Sequence, residues 1–210
     1  MDFQLIINNF FSILQGLDET LILIFLSLIM GFFISIPFAL ARVSSIKILS
    51  QSVYYYIFVI RGTPLLVQIY LIYFGLGSIK AVRESFLWIL LKEPFWCGVI
   101  ALVINTVAYT TEIFRGGIQS VTKGQIESCK SLGMNKFTMY FKIILPNAFR
   151  QALPAYGNEM ILMVKATSLV SLTTYMEMTG IARSIMYKTF AQDEDFIADG
   201  SIYLFLKFIF

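Results

Sequence analysis

From Leu21 to Ala41 the chain runs for 21 residues without one charged side chain. A helix needs about 20 apolar residues to cross the hydrocarbon core of a bilayer. No water is available there to backbone N–H and C=O groups, so the choice of spanning structure narrows to helices or a closed barrel. Phe95–Phe114 is a second run of sufficient length. Three other stretches read as further spans: about Pro64–Gly77, about Ala152–Leu172 and the terminal Ile202–Phe210. The second of the five reaches spanning length only if Tyr54–Ile60 continues it across Arg61. The last is too short, and the expectation is that the chain stops inside its final helix and that the natural protein continues. The expected architecture is all-α, a polytopic membrane protein of five transmembrane helices forming one domain over residues 1–210.

Composition agrees and removes whole classes of function. Of 210 residues 58% are hydrophobic and 14% charged, where a soluble domain carries roughly a quarter charged residues. There is no histidine, so the commonest general base and metal ligand is missing, and no metal site is expected. No nucleophile constellation and no phosphate-binding glycine loop occurs. Cys97 and Cys129 are expected on opposite sides of the membrane, too far apart to bridge. The first apolar run has no basic flank before it and no small-residue cleavage site after it, so it reads as a retained helix and not a signal peptide.

Basic residues orient the chain. With the amino terminus outside, Arg42, Lys47, Arg61, Arg115, Lys123, Lys130, Lys136, Lys142 and Arg150 fall on the cytoplasmic side, against Lys80, Arg83, Lys92, Arg183 and Lys188 outside. That bias is the one cytoplasmic loops show. The polar stretch of about 119–146 between the third and fourth spans is then cytoplasmic.

Within it, Val121–Leu132 reads as one short helix with Ile126, Cys129 and Leu132 on a common face. Gly133 suits a positive-φ corner that ends it. Asn135 is placed to cap a second short helix carrying Phe137, Tyr140, Phe141 and Ile144. Such a compact element fits a groove on a partner, with Glu127 fixing register; a bland reading is an interfacial pair that merely caps the bundle.

The spacing sharpens this. Glu127 is followed by the small residues Ser128 and Cys129, Gly133 stands four positions on, and Ile143 and Leu145-Pro146 close the pattern. It resembles the signature loop of importer-type ABC transporter permeases, which usually carry two alanines where Ser128 and Cys129 stand. Arg61-Gly62-Thr63-Pro64-Leu65-Leu66-Val67-Gln68, Glu112–Ile118 and Lys165–Ser171 are similar to segments of the histidine/glutamine/arginine-type permeases, in the same order. The resemblance implies a non-catalytic subunit of an amino-acid importer in the bacterial inner membrane. Two ATP-binding subunits holding ATP and Mg would dock on Glu127, Ser128, Cys129, Gly133, Ile143, Leu145 and Pro146. A second permease copy or a sister permease, a periplasmic binding protein and a polar amino acid are implied alongside, and no nucleic acid.

Individual residues keep two readings each. Arg61, Gly62, Thr63 and Pro64 form either an interfacial arginine before a helix start or a hinge or gate, since freed backbone groups at membrane depth need protein or a water-filled cavity. Gln68 lines a pathway or bonds between helices. Glu112 and Arg115, three apart, read as a structural ion pair. Asn158, Glu159 and Lys165 lie inside the fourth span, where ionisable groups face a cavity or one another. With Thr167 and Ser168 they form either a substrate pathway for a zwitterion or glue between permease halves. The acids from Asp193 to Asp199 read as a solvated external loop. The alternative function is an ion-gradient-driven secondary transporter, but the second and fourth spans show no repeat of the kind such folds carry.

Overall fold

The computed structural model describes residues 3–189 and 192–209, and every regular element among them is helical. Helix α1 covers Phe3–Leu14, α2 Leu17–Arg42 and α3 Lys47–Gly62. Short helices follow: α4 Leu65–Tyr70, a π turn Leu71–Gly75, α5 Leu76–Ser78, α6 Lys80–Arg83 and α7 Trp88–Leu91. Then come α8 Pro94–Gln119, α9 Lys123–Ser131, α10 Lys136–Met139, a π turn Tyr140–Ile144 and α11 Leu145–Thr167. A 3₁₀ turn Ser168–Thr173, α12 Met178–Thr189 and α13 Gln192–Ile209 complete the chain.

Helix α8 is the axis of the bundle. It packs along α2 and α11, and half of its 26 residues are buried, from Cys97 and Gly98 to Phe114 and Gly117. Small residues permit the approach: a Cβ on Gly117 would run into the Ala148 carbonyl of α11, so those two backbones touch as membrane helices do at small side chains. Helix α2 lies outside and turns Ile22, Phe25, Ile29, Met30 and Phe33 outward, a face suited to lipid. Across the bundle, Tyr56 of α3 donates to the Ile104 carbonyl at 2.6 Å.

Helices α2 and α8, 26 residues each, are long and apolar enough to cross a bilayer. At 1.5 Å per residue each is about 39 Å long. The second expected span continues through Arg61, which lies inside α3, but breaks at Thr63–Pro64. Helices α3 and α4–α5 meet at a bend of 103°, and count as a third span only if taken as one broken unit. The cause is local: Pro64 drives Thr63 into extended backbone (φ −115°, ψ 142°), the restriction proline places on its predecessor. Where the sequence pattern counts five spans, length and composition qualify two among the described residues, or three with the bent pair. Helix α11, 23 residues, carries Arg150, Glu159 and Lys165, and α13 begins with acids. The acid group is accordingly not a loop. It starts α13, and Asp199 is buried, accepting from the Thr179 hydroxyl at 3.0 Å; the side chains of Asp193, Glu194 and Asp195 lie outside the described residues.

One end of the bundle is closed by a polar knot. Thr174 takes a left-handed conformation (φ 68°) after the 3₁₀ turn, which sends Tyr175–Glu177 back across α2. Glu177, in the connection before α12, is 0% exposed. Its carboxylate accepts the Thr179 and Gly180 N–H groups at 3.0 Å each and the Tyr203 hydroxyl at 2.8 Å, with the Thr20 hydroxyl at 3.4 Å. Burial pushes this carboxyl up to about 7, against the lowering effect of those hydrogen bonds.

Candidate functional site

The break between α3 and α4 opens a cavity of about 410 Å³ among α3, α8 and α11. Arg61, Gly62, Thr63 and Pro64 line it from the break, Asn105 and Tyr109 from α8, and Glu159 and Leu162 from α11. Asn105 is twelfth of 26 residues in α8 and Glu159 fifteenth of 23 in α11, so the cavity lies near mid-depth. Glu159 is itself 6% exposed. Among the described residues nothing donates a hydrogen bond to its carboxylate, and Arg61 is the cation whose charge it feels. The Arg61 guanidinium sits over the Tyr109 ring, 4.9 Å from the centroid, a cation–π contact.

The residues expected to form one pathway separate here. Glu159 joins Arg61–Pro64 at the cavity. Gln68 does not line it. Buried behind the break, its amide reaches the Ile60 carbonyl at 2.8 Å and the Thr63 hydroxyl and carbonyl at 2.9 and 3.1 Å. It thereby satisfies carbonyls that the break frees, and it accepts from Asn105 at 3.1 Å. Asn158 and Lys165 point out of the bundle on the exposed face of α11. Thr167 and Ser168 bond back to their own helix, at the carbonyls of Val164 and Lys165. Asn105 and Tyr109 were not singled out in the sequence, although an asparagine in mid-span carries the same signal as Asn158.

At the opposite end from the Glu177 knot, α9 and α10 form the corner expected around Gly133. Thr122 and Gln125 make a capping box at the start of α9, which is two residues shorter at its start than the periodicity suggested. Gly133 has φ +69°, and its N–H reaches the Lys130 carbonyl at 2.9 Å while that of Met134 reaches Cys129 at 3.0 Å. Those are the paired bonds of a Schellman stop, which leads the residue after the cap into the left-handed region. Asn135 caps α10 through the Thr138 N–H at 2.7 Å.

Two expectations change. The second short helix is not separate: α10 passes through the π turn into α11 without a break. Leu132 does not share the inner face of Ile126 and Cys129 but is 80% exposed, because it occupies the cap where the helix ends. Cys129 is buried against Val121, Met139 and Ile144, with Ile143 packed on that cluster. Glu127, Ser128 and Pro146 are exposed. Leu132, Phe137 and Phe141 project nearby, and the last two rings touch at 4.4 Å between centroids. Phe137, Phe141 and Leu145 border an open groove of about 570 Å³ reaching Val43–Ser45.

Charge pairing between the two sites follows the sequence and adds a partner. Arg115 holds Glu112 at 2.6 and 2.8 Å, and Arg42 of α2 faces the other Glu112 oxygen at 3.7 Å.

Known proteins place this arrangement. Residues 24–210 match the family described as binding-protein-dependent transport system inner membrane component. The chain is 49% identical over 210 residues to the nopaline transport system permease protein NocM of Agrobacterium fabrum, covering 100% of this chain and 87% of that one. It is 47% identical over 202 residues to the octopine transport system permease protein OccM of Rhizobium radiobacter, covering 96% and 82%. The crystal structure of an amino acid ABC transporter with histidines superposes with a TM-score of 0.87 at 37% identity, over 100% of this chain and 94% of that one. With nearly its whole length inside the family's match, this chain belongs to the binding-protein-dependent transport system inner membrane components.

Proposed function

We propose that this chain is the membrane-spanning permease of an ATP-driven importer that passes a polar amino acid through the cavity between Arg61 and Glu159. The observation that carries this reading is the cavity itself. It lies at mid-depth, with one cation, one anion and the Asn105 amide around about 410 Å³. Charges at that depth are costly unless they face a cavity or one another. A zwitterion supplies what each lacks, its carboxylate to Arg61 and its ammonium to Glu159. The related permeases for nopaline and octopine support an amino-acid-like solute.

The remaining parts take their roles from the same reading. The amino terminus faces outside, where a binding protein delivers the solute. On the cytoplasmic side two ATPase subunits, which hold ATP and Mg, grip the surface built by Glu127, Ser128 and Gly133 with Leu132, Phe137 and Phe141. Cys129, Ile143, Leu145 and Pro146 support that surface from behind and beside it. Asn158 and Lys165 face outward at membrane depth, so a second permease copy or a sister permease gives them polar partners. Thr167 and Ser168 then act by keeping the end of α11 wound, and Gln68 by holding the break open. No energy source other than the partner ATPases is needed, and the gradient-driven alternative is not favoured.

Uptake of labelled amino acids by vesicles holding this permease with its ATPase and binding-protein partners tests the proposal. ATP-dependent uptake of a polar amino acid is expected. In Gly133→Val, whose β-branched side chain resists φ +69°, and in Glu127→Lys, membrane insertion should persist while stimulated ATP hydrolysis falls. ATP-independent uptake driven by a proton or sodium gradient would reject the reading.

A further inference from the structure

The mid-depth cavity does not end at Arg61. A second cavity of about 450 Å³ lies beyond it toward the Gly133 end, and Arg61, Gly62 and Tyr109 line both. The cation–π pair of Arg61 and Tyr109 is therefore the partition between two chambers. The second chamber adds Arg42, Tyr54, Phe58, Glu112 and Arg115. A third hollow, about 480 Å³, continues from Arg42 and Tyr54 past Ser50 and Lys47.

The chambers differ in charge. The first has Arg61 against Glu159. The second has three arginines, Arg42, Arg61 and Arg115, against the single acid Glu112. Arg115 is fully engaged: its Nε and Nη2 hold one Glu112 oxygen, and its Nη1 donates to Gln119 at 2.6 Å. Arg42 is held less completely. Its Nη1 donates to the Ser50 hydroxyl at 3.1 Å and its guanidinium lies 5.0 Å from the Tyr54 ring centroid. Its Nε is 3.7 Å from Glu112 Oε1, beyond hydrogen-bond length, and neither atom has a hydrogen-bond partner among the described residues. The second chamber is thus left with a positive excess, Arg42 wholly its own and Arg61 shared with Glu159 across the partition, and Lys47 adds a further positive charge beyond it.

We infer that the second chamber is a carboxylate-binding station on the way out, with Arg42 and Arg61 as its cationic pair. The inference rests on the reading of the first cavity as a substrate site. A solute bound there has its carboxylate at Arg61, which already faces the next chamber. Passing the partition exchanges Arg61 for Arg42 as the carboxylate's partner, and the pair Arg115–Glu112 holds the far wall rigid. A cleft lined by one sign of charge concentrates ions of the other, so the carboxylate end leads and a solute without a free carboxylate is not held.

The test uses the assembled, nucleotide-free permease–ATPase complex with Phe58→Cys as a reporter in the second chamber and Tyr54→Cys as an independent one. Cys97 and Cys129 are buried and can remain. The negatively charged sulfonatoethyl methanethiosulfonate should label either reporter about tenfold faster than the positively charged trimethylammonioethyl reagent, relative to a free thiol in solution. Arg42→Gln should remove most of that preference and Arg42→Lys should restore it. Millimolar L-arginine or L-glutamine should slow labelling, while their α-amides, which carry no carboxylate, should not. Equal rates for the two reagents, or equal protection by the α-amides, would overturn the inference. So would equal protection by inorganic phosphate, which would make the chamber a general anion trap. Uptake without such protection sinks the station and leaves the proposed function standing. Protection by the acids alone without ATP-driven uptake keeps a carboxylate site and rejects the importer reading.

Discussion

Glu177 and Glu159 are both buried carboxylates in a helical bundle, 0% and 6% exposed, and they are built for opposite purposes. Glu177 has four donors within 3.4 Å drawn from α2, α12 and α13. Glu159 faces open space, with Asn105 and the cation Arg61 on the other walls. Burial alone therefore does not mark a binding residue. What distinguishes the two is saturation. A carboxylate whose acceptor sites are filled by its own chain ties helices together, and one left unfilled beside a cavity is available to a solute.

The contrast breaks most visibly at Glu177. Glu177→Ala strands two backbone N–H groups and the Tyr203 hydroxyl, and each buried unpaired group costs about 1–3 kcal/mol. A stability loss of about 3 kcal/mol or more is expected in thermal unfolding of the purified protein. An unchanged midpoint would show that the knot is not a structural tie. Glu159→Gln should behave in the reverse way, lowering amino-acid uptake about tenfold, equivalent to about 1.4 kcal/mol, while the unfolding midpoint stays in place. Should it unfold as readily as Glu177→Ala, the distinction between the two sites is lost.

The smallest effect sharpens the comparison through pH. Burial raises the folded-state Glu177 carboxyl from an ordinary 4.5 to about 7, so the folded protein holds this proton more tightly than the unfolded chain does. Its stabilising contribution is complete below about 4.5 and is lost as pH rises through about 7. Asp199 adds to this by repulsion. The unfolding midpoint should fall by a few degrees from pH 5 to pH 8, and Glu177→Gln should flatten the trend. A midpoint that rises over the same range in the unaltered protein would contradict the assignment.

Sequence legibility followed the range of the interactions involved. The first and third spans were readable to within five residues at either end, because a long uncharged run has one solution in a bilayer. The Gly133 corner was readable as well, since the helix end at Leu132, the glycine and the Asn135 cap lie within four residues. The bend at Pro64 was visible only as a breaker; the Gln68 amide that meets the freed Ile60 carbonyl is held in turn by Asn105, 37 residues away. The Glu177 knot was not legible at all. Its members Thr20, Glu177, Thr179 and Tyr203 are scattered across the chain, and the positive φ of Thr174 that assembles them carries no sequence mark. The split of Asn158 from Glu159 follows from their adjacency: neighbours on a helix are 100° apart, and only packing decides which one faces inward.

The π turn at Tyr140–Ile144 has a mechanical consequence. Because α10, that turn and α11 follow one another with no non-helical residue between them, a push on Phe137 or Phe141 reaches Glu159 through continuous helix, with Pro154 the point at which it can bend. Glu159 stands 14 residues beyond Leu145, about 21 Å along the helix. A tilt of about 5° about the base would therefore carry its carboxylate sideways by about 2 Å, more than half a hydrogen-bond length. Stiffness at the surface end thus becomes displacement at the cavity, and the distance between them sets the gain.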